Sequence, residues 1–149
     1  MIDKPGSFVI SLDFELMWGI RDVVTKQSYG NHIVGVHTIF NKMLNSFDAF
    51  AVKSTVAAVG LLFCKNKSEM LNYSPVKKPS YSDKNLSPYG NYIALEVGED
   101  GDNDPYHFGD SIIENLLKKP QHEIATHTFS HYYCGEEGQT TEEFEDDLI

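Results

Sequence analysis

Ser7-Phe8-Val9-Ile10-Ser11-Leu12-Asp13-Phe14-Glu15 is a short apolar, β-favouring run, bounded by Pro5-Gly6 before it and Gly19 after it. Its length and boundaries predict a buried strand that becomes polar at its C-terminal end. Downstream, Val36, Ile39, Phe40, Met43, Leu44 and Phe47 are spaced 3-1-3-1-3, which marks one face of an α-helix over three turns. Residues 54–63 are again continuously apolar and partly β-branched, and predict a second buried strand. Strand, helix, strand is a βαβ unit and implies a parallel sheet, so the fold class is α/β.

The same logic extends toward the C-terminus. Ser111 and Glu114 fit a capping box, Ile112, Ile113, Leu116 and Leu117 form an apolar stripe, Lys118-Lys119 suit the negative end of a helix dipole, and Pro120 stops the helix. A third strand is expected at about 123–126, and Thr140 with Glu143 opens a last helix carrying Phe144 and Leu148. Residues 65–108 break this rhythm: they hold four of the six prolines and five of the eight tyrosines. An irregular insertion is expected there, either a solvated loop or a lid presenting tyrosine faces. The chain, 1–149, reads as a single domain.

Composition narrows the function classes. With 41% hydrophobic, 12% aromatic and 23% charged residues, a disordered or fibrous chain is excluded. The longest apolar run, residues 56–64, falls far short of the ~20 residues a membrane span needs. Asp3, Asp13 and Glu15 interrupt any signal-peptide core, so a cytoplasmic location is expected. The net charge of −10 is local: residues 96–104 hold five acids and 136–147 hold seven, with no Lys or Arg in either stretch. Arg21 is the only arginine, and without clustered basic residues a nucleic-acid partner is not expected. Cys64 and Cys134 lie far apart without a CxxC pattern, as two reduced thiols would. Nothing in the sequence specifies an oligomeric state.

The chemistry-bearing residues fall at two strand ends. Asp13 and Glu15, two apart on a strand, project from one face at its C-terminal end, where parallel α/β folds place active sites. Side by side, the two carboxylates repel unless a cation lies between them. His127-Thr128-Phe129-Ser130-His131 follows the third predicted strand, and its spacing of four lets both imidazoles reach one ion. Both groups therefore lie on the same rim of one sheet. Two histidines and one carboxylate around a divalent metal, Zn²⁺ foremost, make a hydrolytic site, with the remaining carboxylate available as general base.

Ser11-Leu12-Asp13-Phe14-Glu15 together with His127-Thr128-Phe129-Ser130-His131 resembles the polysaccharide deacetylase family (the NodB-homology domain, carbohydrate esterase family 4), whose first motif is T-F-D-D-G and second is H-[S/T]-x-x-H. The second motif matches in full. In the first, Asp13 falls on the family's catalytic base. Phe14 stands where the family has its metal-binding Asp, and Glu15 is the nearest carboxylate. The resemblance implies Asp13 as base and Glu15, His127 and His131 as metal ligands, with Asp13 as ligand the alternative. It further implies a distorted (β/α) TIM-like barrel, of which these residues are the N-terminal portion. The family's later motifs, with a conserved Arg, aromatic groove walls and a general-acid His, have no counterpart here. The implied activity is removal of acetyl groups from a sugar of a surface polysaccharide or glycolipid precursor. Deformylation or hydrolysis of another small amide at the same site is one alternative, and a non-catalytic carbohydrate-binding or assembly module is another.

Trp18 and Arg21 follow the Asp13/Glu15 strand directly, where a first βα loop borders a pocket, and are candidate substrate contacts; core packing of Trp18 is an equal expectation. Asp100-x-Asp102-x-Asp104 mimics the start of an EF-hand loop, but Pro105 replaces the required Gly and Ser111 the twelfth-position Glu. Cys134 is a weaker metal candidate than His131. His32, His37, His107 and His122 lack a partner pattern and are expected to be packing or surface residues.

Overall fold

The computed structural model describes residues 6–148. Three strands, β1 (Ser11–Phe14), β2 (Thr55–Ala58) and β3 (Glu123–Thr126), form one parallel sheet in the order β1-β2-β3. Asp13 sits level with Ala57, and Ala57 with Ala125. Among the described residues five α-helices accompany the sheet: α1 (Lys26–Ala49), α2 (Lys67–Asn72), α3 (Tyr92–Glu96), α4 (Asp110–Leu117) and α5 (Thr141–Asp147). No helix among the described residues is long and apolar enough to cross a membrane.

The expected βαβ unit is present, but the TIM-like barrel is not. Among the described residues β1 and β3 each pair with β2 alone, and three strands in this order make an open sheet with two free edges. Closing a barrel requires the first strand to meet the last, and three strands cannot curve through that circuit.

Helix α1 starts a full ten residues before its apolar stripe, because a capping box opens it: the Ser28 amide donates to Thr25 Oγ1 (3.2 Å) and the Thr25 amide to Ser28 Oγ (3.0 Å). Its buried face is Gly30, Ile33, Phe40 and Leu44, with Val36, Met43 and Phe47 partly buried beside it, while Ile39 turns to solvent. Phe40 meets Phe14 of β1 with ring centroids 4.9 Å apart, joining helix to sheet.

Helix α4 keeps the predicted stripe at Ile112, Ile113 and Leu116, but not the predicted cap. Gly109 precedes it, where an added Cβ would lie 3.0 Å from the Phe14 ring, and Glu114 instead receives Lys65 Nζ at 3.0 Å. The close packing of Phe14 and Leu62 thus leaves little room for a capping side chain at that position.

The insertion at 65–108 is not a solvated loop. It contains α2 and α3, and it sends Met70, Tyr81, Ile93, Val97 and Phe108 into the interior. Its apolar residues follow no helical or strand period, which is why their burial left no pattern in the sequence.

The C-terminal ends of the strands converge on one rim. The Phe14 carbonyl accepts from the Val59 amide (3.0 Å) and the Ala58 carbonyl from the His127 amide (2.9 Å), so Glu15, Gly60 and His127 leave the sheet side by side.

Candidate metal centre

Glu15 follows the last residue of β1, and Leu16 after it adopts a left-handed backbone (φ 47°) that bends the chain into a single 3₁₀ turn, Leu16–Gly19. Across the sheet, β3 ends at Thr126 and the segment 127–131 loops over the rim with Thr128 and His131 both at φ 59°. Left-handed conformations in residues with a Cβ cost of order 1–3 kcal/mol each and persist only where surrounding contacts impose them. Here three of them flank the same few ångströms.

The contacts that impose them come from two sides. From the turn after β2, the Gly60 amide donates to the Thr128 carbonyl and the Leu61 amide to the Phe129 carbonyl, both at 2.9 Å. From α5, the Asp147 carboxylate accepts from the Ser130 amide (3.0 Å) and hydroxyl (2.6 Å), while the Asp147 carbonyl accepts from the Phe129 amide (2.9 Å). Asp147 is buried, and that burial pushes its carboxyl upward against the pull of its Ser130 hydrogen bonds.

The outcome is convergence. His131 Nε2 lies 3.1 Å and His127 Nε2 3.4 Å from the same Glu15 oxygen, with the two imidazole centroids 5.0 Å apart. One ligand atom from each of Glu15, His127 and His131 falls within 4.8 Å of the others. The hydrogen bond from His131 is the main influence holding the Glu15 carboxyl below its ordinary range, against an opposing push from burial. Asp13 stands apart: its carboxylate approaches the other nitrogen of His127, Nδ1, at 3.9 Å, and its side chain is 61% exposed. Asp13 and Glu15 also line a cleft of about 620 Å³ between β1 and α1, walled by Leu12, Val36, Phe40 and Met43.

Trp18 and Arg21 do not face that cleft. Trp18 is completely buried, its Nε1 donating to the His107 carbonyl at 2.9 Å, so it offers no face to a ligand and packs in the core. Arg21 is buried too. It donates to the Trp18 carbonyl (3.3 Å), the Leu86 carbonyl and the Tyr133 hydroxyl (3.4 Å), with its guanidinium between the Tyr92 and Tyr133 rings. Tyr133 links it to the Glu15–His127–His131 cluster, its ring standing edge-on to His131 at 5.1 Å. Both residues brace the wall behind the site.

Cys134 is exposed and lies outside the three-residue cluster found among the described residues. Asp104 is buried against His107, while Asp100 binds Asn103. His37 binds the Pro105 carbonyl and His122 lies buried between Ser54 and Asp48. Sequence reasoning missed Asp147, Gly60 and Tyr133. Asp147 was indistinguishable within an acidic run, and Tyr133 had only its closeness to His131 to mark it. No protein-family model, curated protein or solved structure matches the chain.

Proposed function

We propose that the protein is a metal-dependent hydrolase that removes acetyl groups from a sugar of a surface polysaccharide or glycolipid precursor. The observation that carries this reading is the meeting of Glu15, His127 and His131 within 4.8 Å although they come from opposite ends of the chain.

The donor set fits a divalent ion. One carboxylate and two imidazoles are the ligand types of hydrolytic zinc sites. The Glu15 carboxyl is held toward its ionised form, as a ligand must be. His131 Nδ1 is buried with no hydrogen-bond partner among the described residues. Leaving that atom unpaired costs about 1–3 kcal/mol, and sites that carry function tolerate such costs. When bound, Zn²⁺ supplies Lewis acidity, polarising a carbonyl and easing the ionisation of water.

The chain's own residues do the rest. Glu15, His127 and His131 would hold the ion, and the left-handed turns at Leu16, Thr128 and His131, with the anchored 128–130 backbone between the histidines, position them before any ligand arrives. Asp13 lies outside the ligand cluster and open to solvent, so it is free to take the proton that water releases as it adds to the acyl carbonyl, and to return it to the sugar nitrogen or oxygen as the acyl bond breaks and acetate leaves. The neighbouring cleft has the size of a small-molecule site and borders both carboxylates.

Zinc titration followed by calorimetry, with wild type, His127→Ala and His131→Ala, tests the metal centre; unchanged stoichiometry in both variants overturns it. Product analysis on acetylated and formylated sugars with wild type and Asp13→Asn tests the chemistry. Acetate release that is lost in Asp13→Asn while zinc binding persists is the expected result.

A further inference from the structure

We propose that Gly19 is a positioning residue of the metal centre, and that the space left by its missing side chain is where the Glu15 carboxylate sits. The inference rests on the reading of Glu15 as a metal ligand and adds a determinant of that ligand's placement.

After Glu15 the chain turns back on itself through Leu16–Gly19, with the Trp18 amide donating to the Glu15 carbonyl at 3.0 Å. That turn brings the Gly19 Cα beneath the carboxylate. A Cβ there would stand 2.0 Å from Glu15 Cδ and 2.3 Å from each carboxylate oxygen, and those are its three nearest atoms. Gly19 is not in the left-handed region, where Gly135 and Gly138 are found, so its backbone makes no demand for glycine. The residue is required by the side chain it accommodates.

Gly60 provides the contrast. A Cβ at Gly60 would meet the Phe129 Cα at 2.8 Å, a backbone atom between the two histidines that cannot step aside. At Gly19 the obstacle is the far end of a half-buried side chain, which can swing outward. An alanine at 19 is therefore compatible with folding, but the carboxylate must retreat by about 1.5 Å to reach ordinary contact. Metal ligands tolerate displacements of only about 0.2 Å from their bonding distance. The displacement thus exceeds the tolerance several-fold, and the substitution acts on the ligand rather than on the fold.

The test is zinc affinity by competition with a chromophoric chelator, for wild type, Gly19→Ala, Glu15→Ala and the double variant. Gly35→Ala, where a Cβ would meet nothing within 4 Å, is the control. Gly19→Ala should weaken zinc about 10- to 100-fold, the range seen when residues orienting a ligand are changed. It should cost nothing further in the Glu15→Ala background, and its metal-free melting temperature should stay within about 2 °C of wild type.

Wild-type affinity in Gly19→Ala, alongside a loss in Glu15→Ala, overturns the inference and leaves the metal centre standing. An equal loss from Gly19→Ala in both backgrounds, with a lowered melting temperature, overturns it in favour of a structural role. Undiminished zinc binding by Glu15→Ala would remove the metal-centre reading and this inference with it.

Discussion

Two clusters in this protein pair a carboxylate with imidazole and behave oppositely. At the sheet rim, Glu15 faces His127 and His131; in the interior, Asp104 faces His107. The interior cluster is closed. Asp104 accepts from the Gly98 amide (2.7 Å), the Tyr106 amide (3.0 Å) and His107 Nδ1 (2.7 Å), while His107 Nε2 meets the Tyr92 hydroxyl at 2.8 Å.

Burial drives the His107 imidazole toward its neutral form and the Tyr92 phenol toward staying protonated. The chain of donors is then consistent: Tyr92 donates to His107, and His107 to Asp104. Burial alone would raise Asp104, but the hydrogen bonds from His107, Gly98 and Tyr106 outweigh it and hold the carboxyl low. At the rim, two imidazole nitrogens aim at one carboxylate oxygen and His131 Nδ1 has no partner among the described residues. The interior pair is satisfied on every side and acts as a strut, whereas at the rim two imidazoles converge on one carboxylate oxygen.

The comparison breaks most decisively at Asp104. Asp104→Ala should cost about 3–5 kcal/mol, because it strands a buried imidazole and two amides. Urea denaturation measures this, with zinc stoichiometry in the surviving folded fraction unchanged. A loss below about 1 kcal/mol would mean the interior cluster is not a strut.

The rim should respond to metal where the interior does not. At free zinc one hundred times its dissociation constant, the wild-type fold should gain about 2.7 kcal/mol, reversed by chelator and absent in His131→Ala. Thermal melts with and without zinc read it directly.

Asp147 sharpens the comparison, since it serves the rim from a buried position. Asp147→Ala should cost about 2 kcal/mol by leaving the Ser130 donors unpaired, and should weaken zinc about tenfold by freeing the 127–131 loop. Stability and affinity falling together would be expected, while a stability loss at full affinity would reduce Asp147 to a packing role.

Between pH 7.5 and 5, acid should act on the interior through His107. Folded His107 resists protonation, so as pH falls through 6.5 the unfolded chain takes up a proton that the fold refuses. Stability is full above that pH and declines by up to about 1.4 kcal/mol per unit below it. Asp104 adds a further decline below its unfolded value of 3.8, because its folded pKa is lower still. Metal-free melts between pH 7.5 and 5 should show the first decline, and His107→Gln should flatten it.

Much of the site was legible because its signals are local. The His127-to-His131 spacing, the Asp13/Glu15 alternation and the Thr140 capping box each depend on residues within a turn of one another, and the capping box forms with both of its hydrogen bonds. The parallel βαβ order followed from apolar periodicity. The barrel did not follow, since it came from a resemblance and the three strands form an open sheet. Trp18 and Arg21 were placed beside a pocket by adjacency to β1, yet burial turns both inward. The 65–108 segment hid its core residues because irregular chain carries no period to betray which side is inside.

Sequence alone determined the three strands, the helices α1, α4 and α5, and which residue types stand at the strand ends, because backbone geometry translates spacing into faces. Tertiary structure decided that Glu15, His127 and His131 share one point, that Gly60 leaves room for Phe129 between the two histidines, and that Asp147 anchors the far side of that segment. Those are relations between atoms far apart along the chain, and excluded volume and burial act on such pairs only after the sheet has assembled.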